Sequence, residues 1–335
     1  MAGGLRGACS ADNAAPLFYH RLPYGSESQF NPISSFINYA YDPLQVPESF
    51  DDEDLDQRFQ EVFRNLTHPR RAIDRAGGFG QFVNRQIFPI YLNRADWVPN
   101  YTLHLIGGGM VYRKNVEWFE ANGYAYPKLY AAALVTAAEL LQEAVEKKTT
   151  TADDEVADVY LFRPLGMLLF SLDPVARFAA HTLRLAEWPY QPMVNPTSGK
   201  LMNVGENFIV RPVLFGPDAP APFVYFGFTT LFGMSHRTAT GDSVSWGIGA
   251  AVARAEPLQL RVSGGVFWDR NDSLLASLVV NGTEDLAVRL NVHPGVLPGR
   301  EWWSPGVFVG IGRHGEVSVG LTVRLFPLGI GRTAR

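Results

Sequence analysis

The sequence predicts an α+β protein, with an N-terminal α-helical domain followed by an eight-stranded antiparallel up-and-down transmembrane β-barrel. Three observations carry that expectation. Hydrophobic periodicity is helical before the Pro- and Gly-broken stretch Tyr190 to Asn203, and alternates with period two after it. The non-aliphatic face of the alternating strands is rich in Gly, Ser and Ala, a poor water-facing surface but a suitable filling for a narrow lumen. Lys200 is the one lysine after residue 148, whereas β-surfaces facing water use lysine freely.

Composition agrees. A chain of 335 residues with 47% hydrophobic side chains can bury a large core, which excludes an intrinsically disordered chain. Charged residues at 19%, 32 glycines and 13% aromatics suit close backbone packing or contact with lipid. A net charge of −4 gives no reason to expect nucleic acid as a partner. The single cysteine, Cys9, excludes a disulfide framework and a cysteine-based zinc site. Residues 1–27 read as a flexible leader. The first sixteen lack the apolar centre of a secretory signal, although Gly7-Ala8-Cys9 is similar to the end of a lipoprotein processing site, with Arg6 where that pattern wants an aliphatic residue. The longest apolar helical run, Leu129 to Ala138, is cut short by Glu139, so no spanning helix is expected.

Residues 28–190 form the expected helical domain, with helices at Asn31–Tyr41, Asp52–Leu66, Pro69–Arg85, Pro99–Asn122, Tyr126–Lys148, Asp154–Phe170 and Pro174–Glu187. Several open with Pro or an acid in the first turn, as unpaired amides and the helix dipole favour. Residues 191–204 read as a linker. The barrel is expected over 205–328, with strands at Asn207–Phe215, Phe223–Met234, Val244–Ala253, Leu258–Asp269, Ser273–Asn281, Asp285–His293, Gly306–Gly312 and Glu316–Leu325. Val244, Trp246, Ile248, Leu260, Val262, Val266, Val288, Leu290, Val319 and Leu321 should face lipid. Their neighbours Ser245, Ser263, Asp269, Arg289, Asn291 and Ser318 should face inward. Trp246, Trp268, Trp302 and Trp303, with Phe326, fall at the end of the barrel nearest the helices, as part of an interfacial aromatic belt would. That end should be periplasmic, with the 294–304 connection docked on Gly107 to Gly109 or on the linker.

One polar constellation stands out in the helical region. His104 precedes Gly107-Gly108-Gly109, three glycines that weaken a helix unless another backbone packs on them. The alanine-rich helix 126–148 is their expected partner. On that helix Glu139 and Glu143 share a face, and Asp158 follows on the next. The set His104, Glu139, Glu143 and Asp158 reads first as a buried hydrogen-bonded network that fixes helix packing. The alternatives are general acid/base catalysis, a metal site, or a contact to a lipid headgroup. The Glu-x-x-His pairs of di-iron bundles, His-Glu-x-x-His, a Walker loop and a Gly-x-Ser-x-Gly elbow are all absent from the sequence.

The run HLIGGGMVYRKNVEWFEANGYAYPKLYAAALVTAAELLQEAVE, followed by ADVYLFRPLGMLLF, resembles the core of a family of bacterial envelope proteins defined only as a domain of unknown function. The upstream FNPISSFINYAYDPLQ is similar as well. The resemblance covers about residues 28 to 175. His104, Glu139, Glu143, Asp158, Pro164 and Gly166 match its pattern, and Ala157 departs from it where Asn is usual. It implies an N-terminal helical region, a C-terminal outer-membrane-type barrel and an envelope location, but no reaction.

The expected function is therefore a non-enzymatic structural, assembly or lipid-interacting component of the bacterial outer membrane, with its helical domain on the periplasmic side. Outer-membrane lipid and other envelope proteins are the expected partners; no cofactor, metal ion or nucleic acid is expected. Two alternatives stand beside it. One is a lipid-modifying enzyme using His104 with Glu139 or Asp158, or Ser235-His236 at the rim; the other is a soluble ligand-binding barrel.

Overall fold

The computed structural model describes residues 15–46, 55–88, 97–146, 153–214, 216, 219–254, 258–281, 286–300 and 303–334. Cys9, Trp302 and the 255–257 turn lie outside the described residues. Residues 15–27, expected to be part of a flexible leader, are packed instead: the amides of Phe18 and Tyr19 donate to Glu117 Oε2 at 2.8 and 2.9 Å, and Phe18 is buried in the helical core.

Helix α1 (Pro32–Ala40) starts where Asn31 accepts from the amides of Ile33 and Ser34 while Ser34 Oγ takes the Asn31 amide. Then come α2 (Leu55–Thr67), α3 (Pro69–Arg75) and α4 (Phe79–Phe82), which continues as a π-helical turn over Val83–Ile87. The next helix is compound: α5 (Trp97–Pro99) runs through a π-helical stretch, Asn100–Gly107, into α6 (Gly108–Ala121). After α7 (Pro127–Glu146), α8 (Asp154–Ala157) joins α9 (Arg163–Ser171) through a second π-helical stretch, Asp158–Phe162. An 85° bend separates that unit from α10 (Asp173–Arg177) with its π-helical turn Phe178–Thr182. Met110, Val111 and Val116 of α6 pack with Ala131 and Val135 of α7 and Phe170 of α9 in one buried cluster. The three glycines meet a different partner from the one expected. A Cβ on Gly109 would strike the Gly166 carbonyl and Phe170, and one on Gly166 would lie 2.5 Å from the Leu105 carbonyl, so the close approach is to α9 and not to the alanines of α7.

The sheet corrects the expected fold. Among the described residues it has thirteen strands, is mixed, and is not closed, which conflicts with an eight-stranded antiparallel barrel. The strands are β1 (Ala186–Glu187), β2 (Met193–Val194), β3 (Leu201–Met202), β4 (Phe208–Val210), β5 (Ala221–Phe226), β6 (Thr229–Arg237), β7 (Ser243–Arg254), β8 (Gln259–Arg270), β9 (Ser273–Val280), β10 (Val288–Val292), β11 (Pro305–Ile311), β12 (Val317–Val323) and β13 (Gly329–Ala334). Neighbours pair in the order β1-β4-β5-β6-β7-β8-β9-β10-β11-β12-β13-β2-β3, and β13 with β2 is the parallel pair.

Three physical features account for the difference. The expected linker is a hairpin: 186–187 pair with 208–209, 193–194 pair with 201–202, and between them the amides of Trp188 and Tyr190 donate to the carbonyls of Asn207 and Gly205, all in one register. The expected strand Phe223–Met234 is two strands, turned at Gly227–Phe228. A Cβ on Gly227 would lie 2.8 Å from Asn207 Oδ1, so the turn is held tightly against the start of β4. Finally, β13 follows the expected end of the barrel and brings the far edge of the sheet onto β2. Because β1 and β2 sit near opposite ends of the strand order yet are joined by residues 188–192, the chain's reach of at most about 3.6 Å per residue forces the sheet to curl strongly.

Inside the curl, Trp188 is fully buried against Phe223 and Phe267, with ring centroids 6.0 and 5.5 Å away. Above it Arg211 makes a bidentate pair with Asp269, at 2.7 and 2.9 Å, and also pairs with Asp272. The helices join the sheet at the end carrying the β8–β9 turn and the β10–β11 connection, where Gly25 N donates to the Pro294 carbonyl, Glu27 N to Ser273 Oγ and Arg184 to Asp272. The 294–304 connection therefore starts against residues 24–25 and not against Gly107 to Gly109; Gly107 lies on the Phe208 ring. Asp269→Ala should destabilise the fold by about 3–5 kcal/mol, since it leaves Arg211 charged and half-paired in the interior. Thermal unfolding of the purified full chain reads this directly. An unchanged melting temperature would mean that the pair does not hold the curl.

Candidate functional site

The two π-helical stretches place the expected polar residues. A π-turn widens the helix and re-aims the side chains that follow, and such turns recur at functional sites. His104 lies within the first stretch and Asp158 opens the second, so each points inward toward α7, where Glu139 is fully buried. His104 Nδ1 lies 2.9 Å from Glu139 Oε1, and Nε2 lies 3.7 Å from Asp158 Oδ2. The second Glu139 oxygen accepts from the Tyr39 hydroxyl at 2.7 Å and from Arg163 Nε at 2.8 Å, with Arg163 Nη2 also on it. The guanidinium stacks 4.3 Å from the Tyr39 ring centroid. Glu143, one turn beyond Glu139, is buried in the same region.

The sequence thus brings His104, Glu139 and Asp158 together, and omits Tyr39 and Arg163. Arg163 carries a weak signal, being five residues after Asp158 on a continuous helical stretch and immediately before Pro164-Leu165-Gly166. Tyr39 carries none: its role depends on where α1 crosses α7. Gly108 belongs to the site too, because a Cβ there would fall on the Arg163 guanidinium.

Electrostatics make the cluster a clamped imidazolium. Burial by itself would push the His104 pKa down, but the Asp158 and Glu139 carboxylates override it and raise it to about 10. Asp158 is pushed up, chiefly by burial, with His104 opposing; Glu143 is pushed up by burial and by the nearby Asp158 charge. Metal binding is a poorer fit. Single ligand atoms from His104, Glu139 and Asp158 can be chosen within 4.8 Å of one another, yet the two carboxylates face different ring nitrogens and Arg163 already occupies Glu139. A shared ion needs its donors to converge at about 2.0–2.2 Å. His104 is 6% exposed, Asp158 2% and Glu139 0%, so a substrate has no open approach to the ring. What the arrangement does chemically is to lock four separate elements with charge-assisted contacts.

The other sequence-derived positions are dispersed. Ser235 points inward and takes hydrogen bonds from Ser245 Oγ and Arg211, whereas the adjacent His236 is exposed, so the pair cannot act together. Trp246, Trp268 and Trp303 are exposed near the end of the sheet that meets the helices, and Trp268 Nε1 donates to Asp242 at 2.9 Å. A second buried ion cluster escaped the sequence reading altogether: Lys114 of α6 lies 2.5 Å from Glu27 Oε1 and 2.9 Å from Glu187 Oε2, joining the N-terminal segment, α6 and β1. Comparisons of the chain with protein-family profiles, curated proteins and solved structures find no match.

Two outcomes follow from this geometry. Folded His104 keeps, up to about pH 10, a proton that the unfolded chain releases near its ordinary 6.5. Its stabilisation is therefore complete below pH 6.5 and lost as pH rises toward 10, at no more than about 1.4 kcal/mol per pH unit. Melting temperatures between pH 7 and 9 should fall for the parent chain and fall less steeply for His104→Gln; parallel slopes would show that the imidazolium is not the titrating group. Gly166→Ala should cost about 1–3 kcal/mol despite the better helix propensity of alanine, because the carbonyl it meets is backbone and cannot swing aside. Denaturant unfolding provides the value.

Proposed function

We propose that this protein is a lipid-embedded component of the bacterial envelope, its sheet facing the hydrocarbon of the outer membrane and its helical region on the periplasmic side, with a structural, assembly or lipid-interacting role. One observation carries the reading: the outward face of the sheet is apolar over most of its strands, while polar side chains are buried on the inward face beside its aromatic cluster. Phe232, Ile248, Leu260, Val262, Val266, Leu321 and Ile330 are each half or more exposed, while Ser245, Ser263, Ser277, Asn291 and Arg289 share the opposite, buried face with the cluster of Phe223, Tyr225 and Phe267. In water this arrangement exposes apolar area that gains nothing and buries polar groups that lose hydration. Against lipid the outward apolar area becomes favourable, and the polar groups are better placed inside than they would be on the lipid face.

Supporting features agree. The twelve-residue strands β7 and β8 are long enough to cross a hydrocarbon layer at a tilt of about 45°. Charged residues such as Arg237, Arg254 and Arg270 collect at strand ends. At its ends the sheet stops in two-residue strands, β1 and β3, while Asn38 of α1 receives the Gly205 amide and donates to the Tyr190 carbonyl, so little unpaired backbone is left there. The enclosure of His104 supports a structural over an enzymatic use of the ion cluster.

Val262 gives the sharpest test because it is 83% exposed. In water Val262→Arg is harmless; at the middle of a bilayer it costs about 2–4 kcal/mol. The full chain expressed in a bacterium should fractionate with the outer membrane and resist carbonate extraction, and Val262→Arg should lower its recovery there, whereas Thr240→Arg, in the exposed β6–β7 turn, should not. Release by carbonate together with normal recovery of Val262→Arg would overturn the reading.

A further inference from the structure

The inner face of β10 carries a cation with no counter-charge. Arg289, Asn291 and His293 alternate along that strand and its extension, all pointing inward and all buried. Arg289 stacks 3.9 Å from the centroid of the Tyr190 ring, and neither its Nε nor its Nη1 meets an acceptor. The other buried cations of the interior are neutralised: Lys114 by Glu27 and Glu187, Arg163 by Glu139, Arg211 by Asp269 and Asp272. Arg289 has no carboxylate within ion-pair distance among the described residues. An isolated buried charge is among the most unfavourable features a fold can carry, so an unpaired guanidinium in this position calls for an anion.

Its neighbours are donors as well. Asn291 Oδ1 is taken by Asn203 Nδ2 at 2.8 Å, which leaves Asn291 Nδ2 without an acceptor. Ser277 of β9 stands directly across from Asn291 and diagonally from Arg289, and its hydroxyl also has no partner. The hydroxyls of Tyr190 and Tyr225 lie 3.3 Å apart, so one proton is shared between them and the other is left over. Both His293 ring nitrogens are unpartnered, which adds one more N–H. The orphaned acceptors in this group are Asn203 Oδ1 and the second His293 ring nitrogen.

We propose that Arg289, with Asn291, Ser277 and the Tyr190–Tyr225 hydroxyl pair, forms a site inside the curled sheet for one small monovalent anion, of halide or carboxylate type. The planar fork of Arg289 supplies the charge and two donor edges, and the amide and hydroxyls complete the shell.

The test is anion-dependent thermal unfolding of the full chain in detergent. Sodium bromide and sodium formate are titrated at constant ionic strength, with the balance made up by a bulky sulfonate buffer salt. Binding to the folded state alone raises the melting temperature with anion concentration by mass action. The parent chain should show a rise with bromide or formate that the sulfonate does not reproduce, and Arg289→Met should abolish it. Arg289→Lys keeps the charge but not the fork, and should weaken the apparent affinity about tenfold; it serves as the comparison if Arg289→Met fails to fold. A parent melting temperature indifferent to both anions would overturn the site, because water then satisfies these donors; a lysine variant that responds in parallel with the parent would also overturn it, because the anion then acts elsewhere on the protein.

Discussion

The stretch Ala186–Val194 is the constraint on which the rest of the molecule depends. One end is paired to β4 and the other to β13, the two being far apart in strand order, so its short length sets how tightly the sheet curls. Its side chains then organise the interior. Glu187 receives Lys114 from α6, Trp188 fills the space between Phe223 and Phe267, and Tyr190 lies beneath Arg289 while its carbonyl accepts from Asn38 of α1. Gln191 reaches Thr322 on β12 at 2.6 Å. A segment that in sequence looks like a spacer is thus bonded to both ends of the sheet, to the helical region and to the inward-facing side chains.

Curling the sheet creates an enclosed interior in which polar side chains lie beside the aromatic cluster, and the charges within it have to be matched in place. Lys114 meets Glu27 and Glu187, residues about 90 and 70 positions away; Arg211 meets Asp269 and Asp272; Arg163 meets Glu139. Replacing such pairs by apolar residues of like volume is often neutral or better for stability, so their value here lies elsewhere. Each pair joins segments remote in sequence, and a misregistered sheet or a shifted helix would strand a bare charge. The network therefore penalises alternative packings more than it stabilises the native one, a role suited to a chain whose outer face is too apolar to specify register by exclusion from water.

Most of the helical half was legible, because Pro69, Pro127, Asp154 and Pro174 punctuate it and because amphipathic periodicity needs no knowledge of partners. The expected helix Pro69–Arg85, however, is broken at Gly77 and Gly78, both at positive φ, and the expected helix Pro174–Glu187 ends at Thr182, its last two residues forming β1. The faces of β7 to β12 were legible for the same reason: alternation in residues such as Leu260, Val262, Ser263 and Val266 is a local property. Strand number was not. Phe223–Met234 is apolar almost throughout and Gly227 does not stand out beside Gly233, so the turn at Gly227–Phe228, set by contact with Asn207, could not be placed. The Pro192, Pro196 and Gly199 that suggested a linker are tolerated in the hairpin because the pairing amides fall on Trp188, Tyr190 and Asn195, and Pro196 and Gly199 lie in its turn. In β13, Gly329, Arg332 and Thr333 dilute the pattern, and what makes it a strand is the presence of β12 and β2 on its two sides. In the ion cluster, His104, Glu139 and Asp158 could be found as rare acids and a histidine on apolar helices, whereas Tyr39 could be found only from the crossing of α1 over α7.

The glycines and the ion cluster turn out to be one feature seen from two sides. Gly109 and Gly166 let α6 and the π-helical stretch before it approach α9 at backbone distance, and at that distance an ordinary side chain at position 108 would occupy the place of the Arg163 guanidinium. Absence of a Cβ at Gly108 leaves a slot through which Arg163 reaches Glu139, while the π-helical stretches bring His104 round to that carboxylate and Asp158 to the opposite ring nitrogen of His104. Glycine at three successive helical positions costs roughly 1 kcal/mol each in propensity. The cost is offset by a charge-assisted contact network that a wider helix spacing would not permit. Close packing and buried charge are usually competing demands on a helix interface, and here the same missing side chains meet both.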